Sequence, residues 1–210
     1  MYVPPHFAEL RVDQLHRLIA EHPLGALVTS GPDGLDANHI PFHLDASSGS
    51  QGLLIAHVAR ANPVWKSVAN GSEAMVIFRG PTAYLSPNWY PSKHEFHRQV
   101  PTWNYIVVHA HGRITIRDDE RFVRGLVARL TRTHEAAEPQ PWKMSNSSKE
   151  FIDTMLQAIV GIEIEVTRLI GKAKLSQNKD ERDRKGAAER LASLGQQELA
   201  AAMLAAMGGG

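Results

Sequence analysis

The order of short strand patterns and tight turns constrains the fold of this chain more than any other feature. Apolar residues recur at helical spacing over residues 10–22, which predicts a first amphipathic helix. The buried-strand pattern LGALVTS follows, and the turn GPDG leads into a second strand that ends in HIPFHLD. Two strands joined by so short a turn are expected to run antiparallel.

Strand patterns and helix patterns then follow one another without regular alternation. Further strands are predicted at LLIAHVA, EAMVIFRG, TAYLS, TWNYIVVHAHGRITIR and IEIEVTRLIGKAKLSQ. Helices are predicted to open at Asn62 and to cover residues 118–135, 145–161 and 180–207. Antiparallel strands that close into a barrel with peripheral helices fit this order better than βαβ units. This predicts an α+β fold with a helical C-terminus.

The composition narrows the chemistry that the chain can perform. The sequence has no cysteine, which excludes disulfides, iron–sulfur clusters, cysteine zinc sites and thiol nucleophiles. The start MYVPPHFAELRVDQ lacks a basic region leading into an apolar run. No apolar run approaches the roughly 20 residues that a bilayer requires. We therefore expect a soluble, cytoplasmic protein without a membrane contact.

The charge gives little support for a nucleic-acid partner. The 23 lysines and arginines are balanced by 22 aspartates and glutamates, whereas nucleic-acid binders usually carry a clearly basic domain or stripe. The densest basic segment, RDRKGAAER, is interleaved with acidic residues and is typical of a solvated helix face.

The segment HVARANPVWK is a first candidate for phosphate binding. A predicted strand ends near His57, and a short helix begins at Asn62, where backbone N–H groups are free. Arg60 and Lys66 flank this helix start and could each form a charge-assisted bond to a phosphate. The alternative is an ordinary capped helix with Trp65 in the core.

A second candidate is the aromatic and proline-rich stretch over residues 80–112. Its prolines fix the backbone around aromatic side chains that include Trp89, Trp103 and Tyr105, which suits a rigid wall rather than a mobile lid. Such a wall could stack a planar ring. A packed core or a dimer interface, where tryptophan and tyrosine are also enriched, explains the stretch equally well.

The segment GKAKLSQNK is a third candidate. It ends a predicted strand with Lys172, Lys174 and Ser176, a set of cations and polar groups that could hold a phosphate or a ribityl chain. The alternative is a solvated strand end that leads into the charged helix.

The histidines do not predict a metal site. His39 and His43 share one strand face, and so do His109 and His111, but the spacing places no carboxylate beside either pair. The sequence also lacks a G-x-S-x-G elbow, a phosphate loop of the Walker type, GxGxxG and HExxH.

Taken together, these segments resemble the PaiB-type FMN-binding negative transcriptional regulators. The likeness extends from Met1 to about Leu194 and rests on MYVPPHF, HVARANPVWK, GPTAYLSPNWYPS, VPTWNYIVVHAHG, GIEIEV and GKAKLSQNK in this order. It implies the split β-barrel fold of the pyridoxamine-phosphate-oxidase-like FMN proteins. The FMN-binding domain would cover residues 1–178, and a C-terminal helix and tail would cover residues 179–210.

The resemblance also implies FMN as the cofactor and a homodimer whose flavin lies in a groove at the subunit interface. Arg60, Asn62 and Lys66 would hold the phosphate, with Lys174 and Ser176 next. Asn104 and the aromatic residues would flank the flavin ring, beside His57. The predicted cofactor-binding residues are thus His57, Arg60, Asn62, Lys66, Trp89, Trp103, Asn104, Tyr105, Lys174 and Ser176.

Three functions are open at this point. The first is an FMN-binding regulator, whose contact with DNA would require a partner or a basic face formed in the dimer. The second is an FMN-dependent oxidoreductase acting on a small molecule, in which the flavin carries the redox step. The third is a haem binder that uses the same groove. No residue is predicted to be catalytic.

Overall fold

The computed structural model describes residues 1–207 and has a mainly antiparallel sheet with helices at its periphery. Its strands are β1 (Ala8–Glu9), β2 (Leu24–Gly31), β3 (Gly34–Pro41), β4 (His43–Asp45), β5 (Leu53–Ala59), β6 (Glu73–Leu85), β7 (Thr102–Arg117) and β8 (Ile159–Lys174). Its α-helices are α1 (Val12–Glu21), α2 (Val64–Ser67), α3 (Pro91–Phe96), α4 (Glu120–Glu135), α5 (Lys149–Gln157), α6 (Glu181–Ser193) and α7 (Gln197–Ala205).

The strands form one sheet in the order β3-β2-β6-β7-β8-β5-β4, and β1 pairs with β8. The predicted hairpin is present: β2 and β3 are antiparallel, with Ala26 opposite His39 and Gly31 opposite Gly34. Gly34 has a φ of +104°, a conformation that favours glycine at such a turn. The predicted strand at residues 102–117 has the bounds of β7.

Several predicted boundaries are wrong, each for a local reason. The segments EAMVIFRG and TAYLS form the single strand β6 rather than two strands. The predicted helix over residues 145–161 ends at Gln157, because Ile159 and Val160 begin β8 and pair with β5. The predicted helix over residues 180–207 is two helices, since Gly195 takes a φ of +81° and ends the first of them.

The chain divides into two compact units. Unit 1 contains Met1–Leu15, Arg79–Val108 and the described residues from Ile170 onward, and unit 2 contains His16–Phe78 and His109–Leu169. A core in unit 1 is built from β6, α6 and α7, with Leu85, Tyr90 and Met203 fully buried.

Unit 2 packs its helices through apolar contacts. Leu126 and Leu130 of α4 contact Ile55 of β5. Val123 of the same helix contacts Ile152 of α5 in a second cluster. Over residues 1–207, no helix combines the length and the apolar character needed to span a bilayer.

Two glycines of unit 2 give opposite predictions for substitution by alanine. A Cβ at Gly112 of β7 would lie 2.2 Å from the carbonyl oxygen of Glu165 and 2.7 Å from Cγ2 of Ile164. A Cβ at Gly125, exposed on α4, would meet no atom within 4 Å. We expect Gly112→Ala to lower the free energy of unfolding by about 2–3 kcal/mol through overpacking. Gly125→Ala should raise it by about 1 kcal/mol through helix propensity.

Urea denaturation of both variants checks this pair. A Gly112→Ala protein as stable as the wild type would contradict the close approach of β7 and β8.

Candidate functional site

The ten predicted cofactor-binding residues are divided between the two units. Unit 2 contains His57, Arg60, Asn62 and Lys66. Unit 1 contains Trp89, Trp103, Asn104, Tyr105, Lys174 and Ser176.

The guanidinium of Arg60 is held by groups of the protein itself. Nη2 donates to one carboxylate oxygen of Asp118 at 2.6 Å and Nη1 donates to the other at 3.0 Å. Nε donates to the carbonyl of Gln157 at 2.6 Å. The hydrogen bonds from Arg60 hold the pKa of Asp118 below its ordinary value. Arg60 therefore joins the loop before α2 to the residues that precede α4.

Asn62 and Lys66 also have local partners. Asn62 accepts from the backbone N–H of Val64 at 2.9 Å, as predicted for a cap, and its amide donates to Asn38 of β3 at 2.7 Å. The ammonium of Lys66 lies 4.9 Å from the ring centroid of Trp65. The helix α2, which begins after Asn62 and contains Lys66, has only four residues.

His57 on β5 is half-buried and lies opposite Gly161 of β8. Burial lowers its pKa, so the ring is neutral at pH 7. Its Nδ1 is buried and has no hydrogen-bond partner among residues 1–207. Among the four predicted residues of unit 2, this nitrogen is the only buried side-chain polar atom without a hydrogen-bond partner in the described part of the chain.

In unit 1, Trp103 and Tyr84 form an exposed aromatic pair. Their ring centroids are 6.0 Å apart with an interplanar angle of 71°, an edge-to-face contact. Trp103 on β7 is 56% exposed and Tyr84 on β6 is 44% exposed. A tryptophan ring left this open at the start of a central strand is able to stack on a planar ligand.

Two lysines lie near the C-terminal end of β8, next to β7. Lys172 is only 8% exposed, and its ammonium donates to the backbone carbonyl of Tyr2 at 3.2 Å. It also lies 5.2 Å from the ring centroid of Tyr105. Lys174 donates to Oγ1 of Thr102. Burial lowers the pKa of Lys174, and the neighbouring charge of Lys172 lowers this pKa further.

Neither lysine forms an ion pair with any residue in the part of the chain that the structure describes. Removing an ammonium from water is costly unless an opposite charge compensates for it. Two adjacent cations that contact neutral oxygens and an aromatic face, without an ion-pair partner among residues 1–207, are therefore suited to an anionic ligand.

Asn104 and Ser176 lie in the interior of unit 1. The Asn104 amide donates to Oγ of Ser176 at 2.9 Å, and the Tyr90 hydroxyl lies 3.4 Å from the same oxygen. Ser176 has a φ of +65°, which turns the chain just after β8. Trp89 is half-buried against the unit 1 core. These three residues support the surface that carries Trp103 and the lysines.

Sequence reasoning missed some of these partners. Tyr2 and Thr102 were not among the candidates. Lys172 was named in the segment GKAKLSQNK but not in the final set of predicted cofactor-binding residues, although its spacing from Lys174 places both on one strand face. The contact of Tyr2 with Lys172 joins residues 170 positions apart, and no local pattern announces it.

The paired histidines of β7 do not form a metal cluster. The rings of His109 and His111 are 6.4 Å apart, and burial lowers the pKa of each. Across residues 1–207, no group of three or more histidines, aspartates or glutamates is placed to hold a metal ion.

Comparison with known proteins decides the family. A family model described as "Putative FMN-binding domain" matches residues 1–168. The chain belongs to this FMN-binding family. An uncharacterized protein of Emericella nidulans is 31% identical over 93% of this chain and 92% of its own length. The Bacillus subtilis protein named protease synthase and sporulation protein PAI 2 is 28% identical over 91% of this chain and 89% of its own length.

A solved structure shows the same fold. The flavocytochrome Anf3 of Azotobacter vinelandii superposes with a TM-score of 0.59 and 11% identity, over 87% of this chain and 77% of its own. The predicted α+β split β-barrel fold and the resemblance to the PaiB-type family are confirmed. FMN is the cofactor that family membership indicates, as predicted. The exposed aromatic pair and the two lysines of unit 1 fit its planar ring and its phosphate.

The state of His57 predicts how stability depends on pH. The pKa of His57 in the folded protein lies below its ordinary value of 6.5. The unfolded chain therefore takes up the proton first as the pH falls, so stability is complete above this value and declines below it. One such histidine changes the free energy of unfolding by at most about 1.4 kcal/mol per pH unit.

Urea denaturation at pH 7.5 and pH 5.5 checks this expectation. The contribution of His57 to the change in the free energy of unfolding should not exceed about 1.4 kcal/mol per pH unit. His57→Gln should lose less stability on acidification than the wild type. His43, His109 and His111 shift in the same direction and will keep part of the slope. An equal loss in variant and wild type would contradict a buried, neutral His57.

Proposed function

We propose that the chain binds FMN on the exposed face of unit 1, with the phosphate on Lys172 and Lys174 and the flavin ring against Trp103. The observation that carries this proposal is the pair of lysines without a carboxylate partner among residues 1–207, one of them bonded to Thr102, the residue before the exposed Trp103. Both parts of FMN, a dianionic phosphate and a planar ring, then meet groups of matching chemistry.

The phosphate would complete the surroundings of the two lysines. Within residues 1–207, Lys172 has a single hydrogen bond, to the Tyr2 carbonyl, so its ammonium has donors left for a phosphate oxygen. The pKa of Lys174 is lowered in the free protein, and a bound phosphate would raise it again. Binding would therefore be strongest where Lys174 is protonated.

The ring would bind by stacking. Trp103 is 56% exposed, and Tyr84 packs against it in an edge-to-face contact. Tyr105 lies two residues along the same strand, where its ring contacts the Lys172 ammonium and joins the ring site to the phosphate site. When bound, FMN supplies the capacity to accept and donate electrons, and the chain supplies its binding and orientation.

This assignment ranks the two predicted phosphate segments. Arg60 would have to give up its two bonds to Asp118 before it could hold a phosphate, whereas the lysines break no ion pair. The unit 2 residues His57, Arg60, Asn62 and Lys66 stay predictions. Among them, His57 has the strongest case because of its buried, unbonded Nδ1.

We also propose a homodimer. Large apolar side chains are exposed along residues 84–103 of unit 1, namely Tyr84, Phe96, Val100 and Trp103. Aromatic residues are enriched at the centres of protein interfaces, and a second copy of the chain would cover these side chains. A dimer would also shield a stacked flavin from water.

A regulatory role is supported by one comparison. The printed name of the Bacillus relative assigns it to protease synthesis and sporulation. The near-equal numbers of basic and acidic residues give little support for direct contact with DNA. We infer that any regulation by this chain depends on its flavin-bound dimer.

Riboflavin, which lacks the phosphate, allows a sharp test of the phosphate site. The wild type should bind FMN at least about tenfold more tightly than riboflavin, as one charge-assisted phosphate contact provides. Lys172→Met with Lys174→Met should abolish this preference while leaving riboflavin binding nearly unchanged. Titration followed by flavin fluorescence measures both ligands.

The rival segment provides the matched control. The Arg60→Ala and Lys66→Ala double variant should keep the preference for FMN, provided that circular dichroism shows it folded. Loss of the preference in this variant and its survival in the lysine variant would move the phosphate to the Arg60 segment.

The dimer has its own test. Val100 in unit 1 and Leu35 in the β2–β3 hairpin are both highly exposed. Val100→Glu should weaken dimerisation at least about tenfold, because an unpaired carboxylate would be buried at the interface. Leu35→Glu should leave it unchanged. Sedimentation velocity measures both, and a wild type that stays monomeric would contradict the proposal.

A further inference from the structure

Three side-chain contacts connect the start of β7 with the end of β8 in unit 1. The Asn104 amide donates to Ser176, and Lys174 donates to Thr102. Farther out, beyond both strands, Lys179 donates to Oε1 of Gln99 at 2.6 Å. The contact of Lys174 with Thr102 therefore lies between two others. One joins Asn104 to Ser176, and the other joins Lys179 to Gln99.

The outer contact is anchored by a buried carboxylate. Asp183 on α6 is only 1% exposed. One of its oxygens accepts from the backbone N–H of Ser92 at 2.9 Å, and the other accepts from the Ser92 hydroxyl and from Nε2 of Gln99, the latter at 2.8 Å. Asp183 thus binds both ends of the segment that contains α3 and leads into β7.

The amide of Gln99 has one allowed orientation. Its oxygen faces the ammonium of Lys179, and its nitrogen donates to Asp183 and to the Ser92 hydroxyl at 2.7 Å. A flipped amide would direct its N–H groups at the ammonium and its oxygen at the carboxylate. Gln99 therefore transmits the position of Asp183 to Lys179.

We propose that Asp183 and Gln99 are positioning residues for the FMN phosphate site, acting by fixing the chain segments on either side of the Thr102–Lys174 contact. This inference rests on the proposed function for its link to FMN. Apolar side chains often stabilise a core more than a buried charge network does. A network in which every group is hydrogen-bonded, however, holds a single geometry. Gln99 lies three residues before Thr102, and Lys179 lies five residues after Lys174.

The test exchanges the charge between positions 183 and 99 with isosteric variants. Asp183→Asn replaces an acceptor by a donor, which opposes Nε2 of Gln99 and forces that amide to turn its N–H groups toward Lys179. Gln99→Glu alone places a second carboxylate beside Asp183. In the double variant, the carboxylate at position 99 accepts from the new amide at position 183 and from Lys179. The Ser92 hydroxyl reverses its bonds, accepting from the amide at position 183 and donating to the carboxylate at position 99, so the network is restored.

We expect each single variant to bind FMN about tenfold more weakly, as for a lost charged hydrogen bond, and the double variant to bind within about threefold of the wild type. Glu95→Gln is the matched control, because Glu95 and Arg182 form an exposed ion pair between the same two helices. It should leave FMN binding unchanged.

Amide hydrogen exchange over residues 91–103 gives a readout that does not involve flavin. Exchange should be faster in each single variant and return to the wild-type rate in the double variant. If the wild type does not bind FMN, the proposed function fails, and the exchange data alone decide whether Asp183 and Gln99 position this segment. If the single variants do not fold, a folded double variant that binds FMN like the wild type supports the inference.

Three outcomes would overturn the inference. One is a lowered melting temperature in the single variants with unchanged FMN affinity and unchanged exchange, which would leave Asp183 a stabilising residue only. Another is a loss of affinity that the double variant does not restore. The last is a double variant that does not fold.

Discussion

The buried, uncompensated charge of Lys172 is the interaction on which this account of the molecule depends. A lysine that is 8% exposed and whose ammonium, among the described residues, is hydrogen-bonded only to a backbone carbonyl is costly to maintain. The aromatic rings of Tyr2 and Tyr105 offset part of that cost. A bound phosphate would offset the rest of that cost. The free-energy cost of the buried lysine at the end of β8 is thereby connected with the binding of FMN.

The surroundings of that lysine explain why unit 1 is built as it is. β7 carries the exposed Trp103 and brings Tyr105 next to Lys172 of β8, while its buried Asn104 bonds to Ser176. The helices α6 and α7 supply the apolar core beneath, and Asp183 ties α6 to the segment before β7. A ligand surface on exposed strand ends needs such support, because strand ends otherwise have few fixed neighbours.

Much of this arrangement was predictable from sequence, and the failures have physical causes. Alternating apolar residues predicted β7 with its observed bounds, since a long period-2 pattern has few alternative structures. The sequence pattern could not show that Arg60 is bonded to Asp118, because this partner is 58 positions away. It also could not show the hydrogen bond between Asn104 and Ser176, which lies at a position of positive φ just after β8. Long-range partners and backbone turns of this kind leave no trace in local spacing.

A crystal structure of the protein with FMN would show where the phosphate and the flavin ring bind. We predict that the phosphate oxygens lie within hydrogen-bond distance of Nζ of both Lys172 and Lys174, with the flavin ring against Trp103. A phosphate bound at Arg60 and Lys66, with Lys172 still bonded only to the Tyr2 carbonyl, would contradict it.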